Sequence, residues 1–221
     1  MCFKCLKIFI MVWVLRFINI TLLIVNFAMI FINPSNLKYT FAILGAFSFI
    51  SGIRKALIIG LDNLRGKFWV LLSLNAITIP ISELLNSEVL HIISRFYLAL
   101  SIFFMLQGLL RQGFSLNRTK SVIWLLIIAI SILLSFIFLP FIPQKLTSYL
   151  FLIALNICFA LLVAVILIYL GSDLGLRWII GTIGFLFYFV GDPLYLLNNP
   201  IYPFFWCLPY FFINIVAHME G

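Results

Sequence analysis

The chain has 221 residues, of which 65% are hydrophobic and 9% charged, and its mean hydropathy is +1.26. Soluble domains are about half apolar and a quarter charged, so a water-soluble fold, which could not bury 25 Phe and the long Ile and Leu runs, is excluded. The net charge of +8 does not point to nucleic acid, because the basic residues are spread through short segments between apolar runs and form no stripe.

A helix needs about 20 apolar residues to cross the hydrocarbon, where each backbone polar group must be satisfied internally. By that measure eight spans are predicted, at 8–32, 39–60, 68–85, 89–110, 121–142, 149–171, 178–197 and 203–218. The first run exceeds the apolar region of a signal peptide and has no small-residue cleavage site at its end, so it reads as a span. The second is interrupted by Arg54 and Lys55, which leaves two forms open: a tilted span with snorkelling basic residues, or a short span followed by an interfacial helix through Leu61. The third carries Asn75, Thr78 and Ser82 at helical spacing, with Pro80. The fourth repeats Ser94, Ser101 and Gly108 every seven residues, and both sets read as interhelical contact faces. On the seventh, Gly184, Tyr188, Asp192 and Tyr195 share one face, and Pro193 weakens the helix just after the carboxylate.

With the N-terminus in the cytoplasm, Lys4, Lys7, Arg54, Lys55, Arg65, Lys67, Arg111, Arg118, Lys120 and Arg177 all fall on that side, and only Lys38 and Lys145 fall outside. That bias requires an even number of spans. The expectation is therefore an all-α, polytopic membrane helix bundle of about eight transmembrane helices, with both termini cytoplasmic and residues 1–221 forming a single integral membrane domain. No connection exceeds about 15 residues, which leaves no room for a soluble domain.

Ionisable groups inside a membrane are costly unless paired or hydrated, so the few present are the natural functional candidates. Arg16 lies within snorkelling reach of the cytoplasmic headgroups, and His218 beside Glu220 reads as a polar terminus. Glu83, His91, Arg95 and Asp192 all fall toward the outer ends of their spans, with Glu88, Tyr195, Asn198 and Asn199 around them. If the third, fourth and seventh helices meet, these residues form either an outward-facing polar pocket or an Arg-carboxylate pair that locks helices together. As a pocket, Asp192 and Glu83 are the candidate catalytic carboxylates, and Arg95, His91, Tyr188 and Tyr195 the candidate substrate-binding residues. Either tyrosine is placed to hydrogen-bond Asp192.

Other chemistries lack their residues. Cys2 and Cys5 form a CxxC without a second pair, and Cys158 and Cys207 stand alone in apolar runs, so no metal or cofactor is expected. HExxH, GxSxG and P-loop motifs are absent, and no Lys in the seventh span could form a retinal Schiff base. Phe189-Val190-Gly191-Asp192 departs from the GxGD of intramembrane aspartyl proteases at its first position. The sequons at Asn19 and Asn117 fall in a span and in a cytoplasmic loop.

Arg177, Gly181, Phe187, Gly191-Asp192 and Leu197-Asn198, followed by an aromatic last helix, resemble the end of the YhhN family. That family comprises eight-helix membrane proteins, including lysoplasmalogenases, which cleave the vinyl-ether bond of lysoplasmalogens with intramembrane carboxylates. The resemblance covers about the last 45 residues and implies a lipid hydrolase that uses Asp192. Where the family usually has Ser before this Asp, the chain has Gly191. The further Asp expected from the middle of the chain is matched only by Glu83. Membrane-embedded sensor regions of some prokaryotic signalling proteins are similar in their Gly-Asp ending.

Three functions follow from these residues. The first is a lipid-directed hydrolase with Asp192 and Glu83 as acid and base and Arg95 on an anionic headgroup. The second is a transporter or sensor that takes a small polar solute from outside. The third is a non-catalytic subunit in which the polar cluster is internal glue. The implied partners are membrane lipids and other membrane subunits.

Overall fold

A computed structural model describes residues 3–33, 36–143, 145–170, 182 and 184–219, and side chains from residue 13 to 217 within those ranges. Every regular element among the described residues is helical. The helices are α1 (Phe3–Ile32), α2 (Leu37–Ile59), α3 (Leu64–Leu85), α4 (Glu88–Arg111), α5 (Arg118–Phe138), α6 (Leu146–Tyr169), α7 (Tyr188–Leu196) and α8 (Tyr202–Met219). A 3₁₀ turn at Leu139–Phe141 extends α5.

Six of these helices, α1 to α6, are long and apolar enough to cross a membrane by length and composition. The expected second span is one continuous helix through Arg54 and Lys55. Lys55 is buried, not directed outward as a snorkelling side chain would be. Part of the expected seventh span, with Arg177 and Gly181, lies outside the described residues. Its described part is helical at 182 and 184–186, turns at Phe187 and continues as the nine-residue α7.

Local signals set the ends. Asn63 caps α3 by accepting from the Arg65 amide at 2.9 Å, and Asn117 caps α5 by accepting from the Lys120 amide at 2.8 Å. Asn86 ends α3 in the left-handed conformation, φ 51°. Pro193 does not end α7. The helix runs on to Leu196 and closes through Asn198 at φ 54°, with the amides of Asn198 and Asn199 donating to the carbonyls of Tyr195 and Leu194.

Packing joins α2 to α3, α3 to α4, α4 to α6, α6 to α7, α7 to α8 and α8 back to α2, which closes a ring. Outside it, α1 lies on α8 and α2, and α5 lies on α6. At Gly45 the α2 and α3 backbones approach so closely that an added Cβ would stand 2.6 Å from the Ala76 carbonyl oxygen and 2.5 Å from Pro80 Cγ.

Polarity is distributed in the inverse of a soluble protein. Phe17, Phe31, Ile50, Leu57, Phe136 and Leu146 are each more than 60% exposed, while Asn26, Asn75, Arg95, Asp192 and Asn214 have no exposed surface. Between α1, α2 and α8 the buried amides bond to one another. Asn214 Nδ2 donates to Asn19 Oδ1 (3.0 Å) and Ser48 Oγ (2.9 Å), and Thr40 and Cys207 both donate to Asn26 Oδ1. Asn19 is thus an interhelical contact.

Candidate functional site

The α3–α4, α5–α6 and α7–α8 connections meet at one end of the ring, termed the upper end. Glu88, at the start of α4, accepts from Lys145 Nζ at 3.2 Å and from the Thr147 hydroxyl at the start of α6. Glu83, in the last turn of α3, accepts from the Tyr202 hydroxyl at the start of α8. These bonds join α4 to α6 and α3 to α8, and α7 reaches α3 through Tyr188 and Asn75 and α4 through Asp192 and Arg95.

Glu83, His91, Arg95 and Asp192 lie in this region as two pairs. His91 and Arg95, one turn apart on α4, each take one carboxylate. His91 Nε2 stands 2.6 Å from Glu83 Oε1, with side chains 2% and 8% exposed. Arg95 Nη2 donates to Asp192 Oδ1, and neither side chain has exposed surface. The two carboxylates thus serve different bases and share no proton.

Asp192 does not bond to either tyrosine of its own helix. Trp206 of α8 supplies the second donor, Nε1 to Oδ1 at 2.7 Å. Tyr188 instead donates to Asn75 Oδ1 at 3.1 Å, and Asn75 Nδ2 donates to the Ser94 carbonyl at 2.8 Å. The rings of Tyr188, Trp206 and Phe151 surround the guanidinium, with centroids 4.9, 5.3 and 5.5 Å from Arg95 Cζ. Tyr195 packs on the His91 ring at 4.4 Å. Tyr202 and Trp206, absent from the sequence-derived set, stand one turn apart on α8. Tyr202, Trp206 and Tyr210 recur every fourth residue, and that aromatic face was the available signal.

The inner pair is incompletely bonded. Arg95 Nε and Nη1, Asp192 Oδ2 and His91 Nδ1 are buried without hydrogen-bond partners. A cleft of about 60 Å³ opens above them, lined by His91, Glu88, Thr147, Ser148, Tyr195 and Asn198 among others. His91 is the only member of the two pairs that lines it. Neither Arg95 nor Asp192 lines this cleft or the two larger apolar grooves beside α5.

The remaining polar residues of α3 and α4 mostly turn inward on their own helices. The hydroxyls of Thr78, Ser82, Ser94 and Ser101 donate to carbonyls three or four residues back. Gly108 has nothing near its Cα side and is no close-packing position. Arg16 lies 5.8 Å from the Trp13 ring on the outer helix. Asn199 accepts from the Ile201 amide within the α7–α8 turn. The side chain of His218 lies outside the described residues. Among the described residues, no three of His, Cys, Asp and Glu are grouped as a metal ion would need.

Gly191 leaves room for the indole that reaches Asp192, because an added Cβ would stand 2.5 Å from Trp206 Cδ1 and 2.7 Å from its Nε1. Gly191→Ala is expected to push the indole off Asp192 and to cost about 1–3 kcal/mol, the usual range for overpacking. A lowered thermal midpoint with a shifted Trp emission would register it. An unchanged midpoint would mean that α7 and α8 separate easily.

No protein-family model matches the chain, and no match is found among the curated proteins or the solved structures.

Proposed function

We propose that the chain is a multi-pass membrane protein of eight spans, with both termini cytoplasmic, that hydrolyses a lipid at headgroup depth through Glu83 and His91. The inverted polarity supports the membrane setting. The gathering of Arg54, Lys55, Arg65, Lys67, Arg111, Arg118 and Lys120 at the lower helix ends supports the orientation, with the upper end outside.

One observation carries the chemistry. A buried carboxylate holds one nitrogen of His91, the other nitrogen is uncommitted, and His91 lines the upper cleft. Glu83 fixes the tautomer with the proton on Nε2 and stabilises the imidazolium, which leaves Nδ1 as the group that exchanges a proton. This is a general acid-base dyad.

The YhhN resemblance suggests the bond. Vinyl-ether hydrolysis begins when imidazolium Nδ1 gives its proton to the β-carbon, and the resulting oxocarbenium ion adds water. Neutral His91 takes back the proton that the water loses. The hemiacetal then collapses to an aldehyde and an alcohol. In this scheme Glu83 stands where the family offers an Asp, and Asp192 holds α7 and α8 against Arg95 without touching substrate. The Trp206 indole over Gly191 explains the departure from the family's Ser, since no side chain fits there.

The test is aldehyde release from a vinyl-ether lysophospholipid by the purified protein in lipid nanodiscs, compared with His91→Gln. Turnover that disappears in the variant supports the dyad.

A second reading is favoured by the sealing of Arg95 and Asp192 at zero exposure. A pair closed off by three rings suits a non-catalytic subunit, in which the polar core is glue and the apolar exterior meets lipid and partner chains. Absence of turnover together with a stoichiometric co-purifying partner would favour it.

A further inference from the structure

We propose that the groove between α5, α6 and α7 seats one hydrocarbon chain of an outer-leaflet amphiphile whose headgroup stands at the His91 cleft. This rests on the lipid-directed reading of that cleft. The groove encloses about 390 Å³ and is lined along α5 by Ile127, Ile130, Leu134 and Phe138, and on α7 by Phe189 and Pro193.

Length, composition and continuity argue for this occupant. From Ile127 to Phe138 the α5 face runs about 17 Å at 1.5 Å per residue. That is roughly half of the ~30 Å hydrocarbon thickness, the depth of one leaflet. The lining is apolar except for Ser131, Ser135 and Asn156. These three bond to one another, Ser131 to Asn156 Oδ1 at 2.8 Å and Asn156 Nδ2 to Ser135 Oγ at 2.9 Å, so they offer a ligand little.

At its upper end the groove adjoins the cleft. Leu196 lines both. Ile142, Phe151 and Leu196 pack as a small cluster between them, with Ile92, Leu152 and Tyr195 against it. One layer of side chains thus separates a chain-length apolar trough from the chamber that His91 lines.

The groove persists because α5 stands off from the ring. None of its residues is buried. It is tied to α6 by the Ser131–Asn156–Ser135 knot and by Trp124 Nε1, which donates to the Ala160 carbonyl at 2.8 Å. A second groove of about 480 Å³ lies between α5 and α6 on the other side of the knot, but no α7 residue lines it and it shares none with the cleft. That difference selects the first groove and supplies a control in the second.

The experiment uses the full chain in phosphatidylcholine nanodiscs and a palmitoyl lysophosphocholine with a diazirine in its chain. After photolysis, labelled peptides are mapped by mass spectrometry. Label is expected on α5 around Ile130 and Leu134 and on α7 around Pro193, competed by unlabelled palmitoyl lysophosphocholine and not by the octanoyl form. Leu134→Trp, which fills the groove from an exposed position, is expected to lower the competed labelling roughly tenfold or more, the loss that follows from about two unburied methylene groups. Ile132→Trp, in the second groove, should leave it unchanged.

Label spread over the outer faces of α1, α5 and α6 without competition would overturn the proposal, as would equal loss in both variants. The labelling readout is independent of turnover. Competed labelling in a protein that hydrolyses nothing keeps the groove and removes the hydrolase, while turnover with uncompeted label does the reverse.

Discussion

A chain carrying Arg95→Met is expected to lose about 3–5 kcal/mol of stability, because the substitution leaves the Asp192 carboxylate in an apolar enclosure with Trp206 Nε1 as its one remaining donor. Asp192→Leu strands a guanidinium among the rings of Tyr188, Trp206 and Phe151 and is expected to cost as much. The double variant, Arg95→Met with Asp192→Leu, should recover most of the loss, since no buried charge remains. Thermal or denaturant unfolding in a fixed detergent-lipid mixture reads all three, and the coupling between the sites follows from the cycle. Additive losses would mean that the two side chains do not interact, and the pairing on which the α4–α7 contact rests would be wrong. The incomplete bonding of Arg95 Nε, Arg95 Nη1 and Asp192 Oδ2 makes recovery by the double variant the more expected, because an ion pair with unmet donors gains less from the interior than it costs to desolvate.

Much of this geometry was legible in the sequence. Helix positions followed from run length, and α4 and α6 begin within three residues of the predicted spans because polar connections mark those ends and Ser87 caps α4. The placement of Glu83, His91, Arg95 and Asp192 at one end also followed, since it needs only helix length and alternating direction. The partner of each carboxylate was not legible. Whether Asp192 meets His91 or Arg95 depends on the depth and rotation of α7 against α4, a tertiary property with no local signature.

The same limit hid Tyr202 and Trp206. The Tyr202, Trp206 and Tyr210 face is visible in the sequence, but aromatic residues near helix ends are ordinary at membrane interfaces, so that face does not single out Trp206 as the donor that Asp192 uses. Tyr188 and Tyr195 lie on the Asp192 face as their spacing indicates, yet one reaches Asn75 and the other covers His91. Sharing a helix face places side chains in one neighbourhood. It does not make them partners, because residues one turn apart project in parallel. Pro193, read as weakening the seventh helix, does not stop it: the helix continues to Leu196, one residue short of the predicted end at 197, before Asn198 closes it.

His91→Gln is expected to lower aldehyde release from a vinyl-ether lysophospholipid by about 10²–10⁴, the usual contribution of general acid-base catalysis, with the fold retained. Glu83→Gln should fall in the same range through a different atom. If the glutamine presents its amide nitrogen, the imidazole must accept at Nε2, which moves its proton to Nδ1 and removes the base; the carboxylate that stabilises the imidazolium is lost as well. Tyr202, which donates to Glu83, would then bond to the amide oxygen and hold the glutamine in that orientation. Asp192→Asn separates the two assignments of the carboxylates. With Asp192 as a lock, the variant is less stable but its turnover per folded molecule stays within about tenfold of the parent, since the reacting bond and Asp192 never meet. If Asp192→Asn is inactive while folded and His91→Gln is active, the acid-base chemistry belongs to Asp192, and the ring must open between α4 and α7 to admit substrate. The ratio of the two losses, measured on folded protein, decides between a site at the His91 cleft and one inside the aromatic enclosure.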